Sequence, residues 1–328
     1  LELNKRKHKS ISNLANILQK DSVNIIDIGA ADGIDKRWKL MMSELSDKFK
    51  IHLFEPEPES YQRLEEMFNG NNQVECHDCA LSQHGEDLIL NIVEWPRASS
   101  VYCANQAFMD TTILKDHFKL AEQIGFHSKR LIDVLPNTEI TFLKADVEGY
   151  ELPILIGAEN LLDNCIGLEL EVNFNPNIRN GMHLFGDVES FCREKGFALT
   201  ALNTPGYLHY LLPTNKYESK GFIAASDALF FRLPNDVIDL ILKNKWSKSK
   251  LQLAACIYIA YGNFEMTYQL MQKAVQSKLL IESDVVYKNV MESVRLYSGH
   301  DRLFSTKKIK TMIVNSIKGA SENDTLDF

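Results

Sequence analysis

The sequence predicts an α/β fold: a doubly wound, mostly parallel, Rossmann-like sheet followed by an all-helical C-terminal region. Three observations lead there. Short apolar runs alternate with helical patterns from Val23 to Arg232, the rhythm that joins parallel strands through helices. Strand patterns stop at Pro234, and the segments beyond carry helical periodicity. The charge balance shifts at the same place: 13 basic and 10 acidic residues follow Leu233, whereas 23 basic and 34 acidic residues lie before it. The expected division is an N-terminal helix over 1–20, an α/β domain over 21–233 and a helical domain over 234–328.

VNIIDI, Val23 to Ile28, is a buried-strand run followed by a glycine turn and the helical DKRWKLMMSEL. IHLF, Ile51 to Phe54, is the second strand, and PESYQRLEEMF a helix opened by Pro58 and stopped at Asn69-Gly70. VECHDCAL holds the third strand. LILNIVE, Leu88 to Glu94, alternates as an added strand or hairpin. A helical stretch is expected around Thr112 to Ile124, then the strand ITFLKA and the helix ELPILIGAENLL, whose Pro153 sits in the first turn. IGLELEV, a helix ending on Gly196, FALTALN and ASDALFFR complete the series. After Pro234, NDVIDLILKN, KLQLAACIYIAYG, FEMTYQLMQKAVQSK and ESDVVYKNVMESVRLYSG read as helices, and the middle pair resembles one tetratricopeptide unit. One unit cannot bury its own face, so it needs neighbouring helices or another chain. A helical cap on the main domain is the plainer reading, and assembly into a homo-oligomer or with a protein partner the other.

The 328 residues are 45% hydrophobic and 24% charged, an ordinary globular composition that excludes a fibrous or disordered chain. A net charge of -8 gives no support to nucleic-acid binding. No apolar run reaches the roughly 18 residues of a transmembrane helix. The six cysteines follow no disulfide spacing. The basic start lacks a signal peptide's apolar core and cleavage site, and the cytoplasm is the expected compartment.

The strongest local motif is NIIDIGAADG: a strand ends at Asp27, and Gly29 and Gly33 turn the chain into a helix. In a doubly wound sheet this turn lies at the ligand-binding carboxyl edge. The second strand ends in Glu55, placed to accept hydrogen bonds from both hydroxyls of a ribose. Asp27 and Asp32 beside the turn would repel a pyrophosphate. S-adenosylmethionine, which carries an ammonium and a sulfonium, suits that negative loop. Two further motifs add acids. FLKADVEGYELPILIGA places Asp146 and Glu148 at a strand end, and IGLELEVNFNP puts Glu169 and Glu171 on one side of a strand. Glu169 has an equally good structural reading, as the partner of a lysine or arginine.

DIGAADG, FEPEPESYQRLEE, Ser99-Ser100, RLIDVL, FLKADVEGYELPILIGAENLL and LELEVNFNP, in that order over roughly Val23 to Arg232, resemble the FkbM-type S-adenosylmethionine-dependent methyltransferases. The resemblance implies a class I methyltransferase sheet of seven strands with an antiparallel last strand, supplied by ASDALFFR. It implies O-methylation, often of sugar, polysaccharide or polyketide-type hydroxyls. It also implies that Asp27, Gly29, Ala31 and Gly33 line the methionine end of the cofactor, that Glu55 holds its ribose and that Asp78 contacts the adenine side. Ala145 departs from the larger apolar residue expected there, and the helices after Pro234 lie outside the family's usual extent.

A sugar hydroxyl is a weak acid, so its methylation needs a base or a metal. Asp146, Glu148 and Glu171 form the expected catalytic cluster, either as a general base or, for Asp146 and Glu171 with Asn173, as oxygen ligands of magnesium or calcium. Other candidates are weaker. Cys76-x-x-Cys79 with His77 is a metal half-site without a second pair. Trp38 and Trp95 offer a sugar-stacking face, with ordinary packing the better reading, and Trp95-Pro96-Arg97 sits in a loop suited to cover the crevice. Lys243 to Lys250 reads as a solvated helix end or an anionic-surface contact. The rival functions are a metal-dependent nucleotide-sugar enzyme and a non-catalytic scaffold built on the helical region.

Overall fold

A computed structural model describes residues 18, 22–212 and 220–298. Most of the helix expected over 1–20 lies outside the described residues, as do residues 299–328. Nine strands and ten helices are named here in chain order: β1 Val23–Ile28, α1 Lys36–Leu45, β2 Phe49–Phe54, α2 Pro58–Phe68, β3 Val74–His77, β4 Asp87–Val93, α3 Gln106–Met109, β5 Leu120–His127, α4 Leu131–Val134, β6 Phe142–Ala145, α5 Glu151–Gly157, β7 Gly167–Asn173, α6 Phe185–Glu194, β8 Ala198–Leu208, β9 Phe222–Phe231, α7 Pro234–Leu242, α8 Lys250–Ala260, α9 Phe264–Gln276 and α10 Val285–Ser298.

Seven strands form one sheet in the order β3-β2-β1-β6-β7-β9-β8. The pairs from β3 to β7 are parallel, and β9 runs antiparallel to both β7 and β8. ASDALFFR therefore supplies the antiparallel strand, as expected, lying between its neighbours rather than at the edge. The strand order reverses at β1, which pairs with β2 on one side and β6 on the other. A crevice opens outside the carboxyl ends of such strands.

Both faces of the sheet are covered, which explains the near-continuous apolar strands. Alternation assigns Val23, Ile25, Phe142 and Phe231 to one face and Ile26, Ile28, Leu143 and Phe230 to the other. On the first face the buried cluster continues through Trp38 and Met41 of α1 into Ile238, Leu253, Ile257, Leu270 and Val290 of the C-terminal helices. The compositional boundary at Leu233–Pro234 is thus crossed by one continuous apolar core. Backbone carbonyls reinforce this seam. Trp246 donates to Asp163 O at 3.0 Å, and Lys250, 2% exposed, donates to Asn164 O at 3.0 Å. That corrects the reading of Lys250 as part of a solvated helix end.

Helix boundaries follow local chemistry. The Asp35 carboxylate accepts from Arg37 N at 2.7 Å and caps α1. Glu57 caps α2 through Glu59 N and Ser60 N, with Pro58 in the first turn. The helix expected around Thr112 to Ile124 does not form. Leu120–His127 is β5, which pairs antiparallel with β4 in a separate two-stranded sheet. Its residues are ordinary helix formers, but cross-strand pairing with β4 overrides that weak preference.

Candidate active site

The glycine turn grips the end of β2. Gly29 N and Ala30 N both donate to Phe54 O, at 3.0 and 3.2 Å. Gly29 has φ +81°, and a Cβ there would stand 2.1 Å from Asp146 O, so only glycine lets the turn pack against the end of β6. Gly33, φ +80°, would meet only the flexible Met67 side chain, its sulfur at 3.4 Å. Glu55 lies beneath the turn, 6% exposed, and accepts from Glu57 N at 2.9 Å. Burial pushes its carboxyl up to about 7, against the opposing backbone donors. Asp27 is buried too and pushed up to about 6 by desolvation, although Lys144 Nζ donates to it at 3.3 Å. Lys144 also lies 3.7 Å from Asp146 Oδ2. Over the turn, Arg97 Nη2 meets Asp32 Oδ1 at 2.9 Å, which brings the Trp95-Pro96-Arg97 loop across it.

Beyond β6 the chain makes a strained turn. Glu148 has φ +57° without being glycine, and Gly149 follows at φ +104°. The buried Glu151 carboxylate accepts from Val147 N at 2.9 Å and Gly149 N at 3.3 Å, and Ser100 Oγ donates to Glu148 O at 2.8 Å. The Glu148 carboxylate is held by Arg179 Nη2 at 2.7 Å, and Arg179, 1% exposed, also donates to Ala98 O. On β7, burial raises the Glu171 carboxyl well above its ordinary value, and the charges of Glu148, Asp146 and Glu151 add to this. Its Oε2 is buried without a hydrogen-bond partner, as is Asn173 Nδ2 two residues along.

The sequence pattern of the methyltransferase FkbM domain matches residues 27–199, which contain the glycine turn, the Asp146–Glu151 turn and β7. The chain belongs to the FkbM methyltransferase family. By family and sheet order it is an S-adenosylmethionine-dependent methyltransferase. Among solved structures, a SAM-dependent methyltransferase from Aquifex aeolicus aligns at 11% identity and TM-score 0.31 over 66% of this chain and 89% of its own. A precorrin-6y C5,15-methyltransferase from Geobacter metallireducens aligns at 9% identity and TM-score 0.32, over 67% and 85%. M. capricolum TrmK, solved with S-adenosylhomocysteine, aligns at 9% identity and TM-score 0.30, over 87% and 95%. No curated protein matches the sequence of this chain.

In this FkbM methyltransferase the carboxyl ends of β1, β2, β6 and β7 bring Asp27, Glu55, Asp146 and Glu171 to one edge, and Asp78 stands exposed just after β3. The residues present fit S-adenosylmethionine: the buried carboxyl of Glu55, a glycine turn and surrounding carboxylates instead of a phosphate cradle. Glu169 is engaged elsewhere. Arg37 Nη2 holds it at 2.9 and 3.0 Å, and the Tyr261 hydroxyl donates to it, so the structural reading of Glu169 is the correct one. Trp38 is wholly buried whereas Trp95 is 44% exposed, so the two form no common sugar-stacking face. Sequence reasoning missed Lys144, Arg179 and Glu151. Lys144 was legible as the residue two before Asp146 on a strand, hence on the same side, whereas Arg179 comes from a loop whose course no local pattern reveals.

Proposed function

We propose that this methyltransferase transfers the methyl group to a hydroxyl of a sugar or glycan acceptor, with Glu171 as general base. The observation that carries the reading is the pair of orphaned buried atoms on one face of β7. Glu171 Oε2 lacks a donor and Asn173 Nδ2 lacks an acceptor, and a hydroxyl, both donor and acceptor, satisfies the two at once. Bound S-adenosylmethionine would supply a methyl already activated by its sulfonium. The remaining work falls to the chain. Glu55 accepts from the ribose hydroxyls, and the Gly29 to Gly33 turn, with Asp27 and Ala31, cradles the methionine end. Asp78 takes the adenine side. Asn173 Nδ2 would orient the acceptor oxygen, and Glu171 would take its proton as the O–CH3 bond forms and the S–CH3 bond breaks, S-adenosylhomocysteine leaving. A base is most effective when its pKa approaches the working pH, the direction in which burial and the neighbouring carboxylates move Glu171. Glu148 is a positioning residue clamped by Arg179; the charge of Glu148 raises the Glu171 carboxyl, and that of Arg179 opposes the rise. Asp146 completes the acidic wall.

Tyr207 and Tyr210, 45% and 54% exposed near the end of β8, offer flat aromatic faces of the kind that suits sugar rings. A divalent cation on Asp146 and Glu171 is the second route. The orphaned amide donor of Asn173 favours the base. The test is methyl transfer to a panel of sugars and glycans by native protein and Glu171→Gln, with cofactor binding measured by calorimetry. The expected result is unchanged cofactor binding, transfer reduced by about 100-fold or more and native activity that survives excess chelator. Transfer by the variant within threefold of native would refute the role of Glu171.

A further inference from the structure

One face at the β2–β3 end of the sheet gathers a different chemistry. The register sets His52 opposite Glu75 and Phe54 opposite His77, so period-2 alternation places His52, Glu75 and His77 on the same side. His52 Nδ1 lies 3.1 Å from His77 Nε2 and 3.6 Å from Glu75 Oε2, and His77 Nε2 lies 3.8 Å from Glu75 Oε1. Among the described residues these three form a group of ligand-type side chains whose atoms all lie within 4.8 Å of one another. From the glycine turn or the acidic cluster the group borrows no residue.

We propose that His52, Glu75 and His77 bind a divalent ion of the zinc class. Zinc bound at about 2.0–2.1 Å to nitrogen or oxygen in a tetrahedron separates its ligand atoms by about 3.3 Å; the two imidazole nitrogens, 3.1 Å apart, match that value, and the nearer Glu75 oxygen in each case lies 3.6 Å from His52 and 3.8 Å from His77. Two imidazoles and one carboxylate suit zinc and its first-row neighbours better than magnesium or calcium. Metal ligation requires neutral imidazoles, and desolvation already lowers both histidines, His52 to about 4. Stacking of His77 on Phe54, centroids 4.4 Å apart, fixes that ring. Glu75, with its side chain 45% exposed, leaves the fourth position to water. Lys50 Nζ, 2.7 Å from Glu75 Oε2, is the cation already at the site, and an incoming ion competes with it. The bound ion would clip the short edge strand β3 to β2, immediately before Asp78.

The test is titration of the full chain with zinc chloride by calorimetry and with cobalt(II) by visible absorption, in native protein and four variants. The expected result is saturable binding and a tetrahedral cobalt band in native protein. His77→Ala and the isosteric Glu75→Gln should each weaken it at least tenfold with circular dichroism unchanged, Lys50→Gln should tighten it, and Glu171→Gln should leave it unaltered. No saturable binding by native protein, or His77→Ala and Glu75→Gln binding as native does, would overturn the proposal and leave His52 and His77 as a hydrogen-bonded pair. Neither result depends on methyl transfer.

Discussion

Replacing Gly29 by alanine tests the geometry of the turn most directly. Two costs add at this position. The φ of +81° places an L-residue in the left-handed region, at about 1–2 kcal/mol. The new methyl group would also stand 2.1 Å from the Asp146 carbonyl oxygen, and backbone on both sides cannot swing away as a flexible side chain would. Overpacking of that kind adds about 1–3 kcal/mol, for roughly 2–5 kcal/mol in total. Relief requires β1 and β6 to separate where Asp146 N donates to Ile28 O at 3.0 Å, which also shifts the acidic wall. Gly33→Ala is the internal control: its φ is nearly equal, but the methyl group meets only the Met67 side chain, its sulfur at 3.4 Å, so the conformational cost alone is expected. Urea unfolding followed by circular dichroism and tryptophan fluorescence measures both variants, and calorimetry measures S-adenosylmethionine affinity. Gly29→Ala should lose at least about 1 kcal/mol more stability than Gly33→Ala. Equal losses in the two variants would refute the close approach of the turn to β6.

Three further outcomes are expected. The carboxyl of Glu55 is raised from an ordinary 4.5 to about 7 in the folded protein, so the native state holds a proton that the unfolded chain releases. The contribution of Glu55 to stability should therefore fall as pH rises from about 4.5 to 7 and level off above; Glu55→Gln should be more stable than native at pH 8, by up to roughly 3 kcal/mol, should lose that gain toward pH 4.5, and should bind the cofactor more weakly. Arg37→Met would strand the buried Glu169 carboxylate, at about 3–5 kcal/mol, whereas Tyr261→Phe removes one charge-assisted bond, at about 1.5–3 kcal/mol, an order that thermal unfolding can check. Ile257→Ala, at a wholly buried position beneath the sheet, should cost about 2–5 kcal/mol, and a chain ended at Leu233 should fail to unfold cooperatively; a cooperative transition in that truncated chain would refute the shared core.

Much of the scaffold is legible in short stretches of residues. PESYQRLEEMF coincides with α2 because proline and glutamate mark its start locally, and VNIIDI coincides with β1 because burial on both faces leaves a continuous apolar run. β5 is not legible, since KLAEQIG has no strand pattern and owes its conformation to pairing with β4. The acidic group is recognisable as a set, but not the division of labour within it. Glu169 and Glu171 are alike in sequence context, two residues apart on one strand. Their fates differ because Arg37 and Tyr261, 132 and 92 residues away, reach Glu169, while Glu171 faces other carboxylates and keeps an unpartnered oxygen.

The same distinction holds across the molecule. Apolar periodicity, helix caps and glycines at positive φ are properties of a few neighbouring residues, so the sequence alone determined the α/β alternation, the Gly29 to Gly33 turn and the acids at the strand ends. Which charge is neutralised and which stays poised depends on chain crossings that bring distant residues into one low-dielectric space. Only the tertiary structure decided that Lys144 covers Asp27, that Arg179 clamps Glu148, that His52 meets Glu75 and His77, and that the C-terminal helices complete the first face of the sheet instead of standing apart. Burial strengthens the partnerships of Lys144 with Asp27 and of Arg179 with Glu148, and burial is a property of the folded chain as a whole.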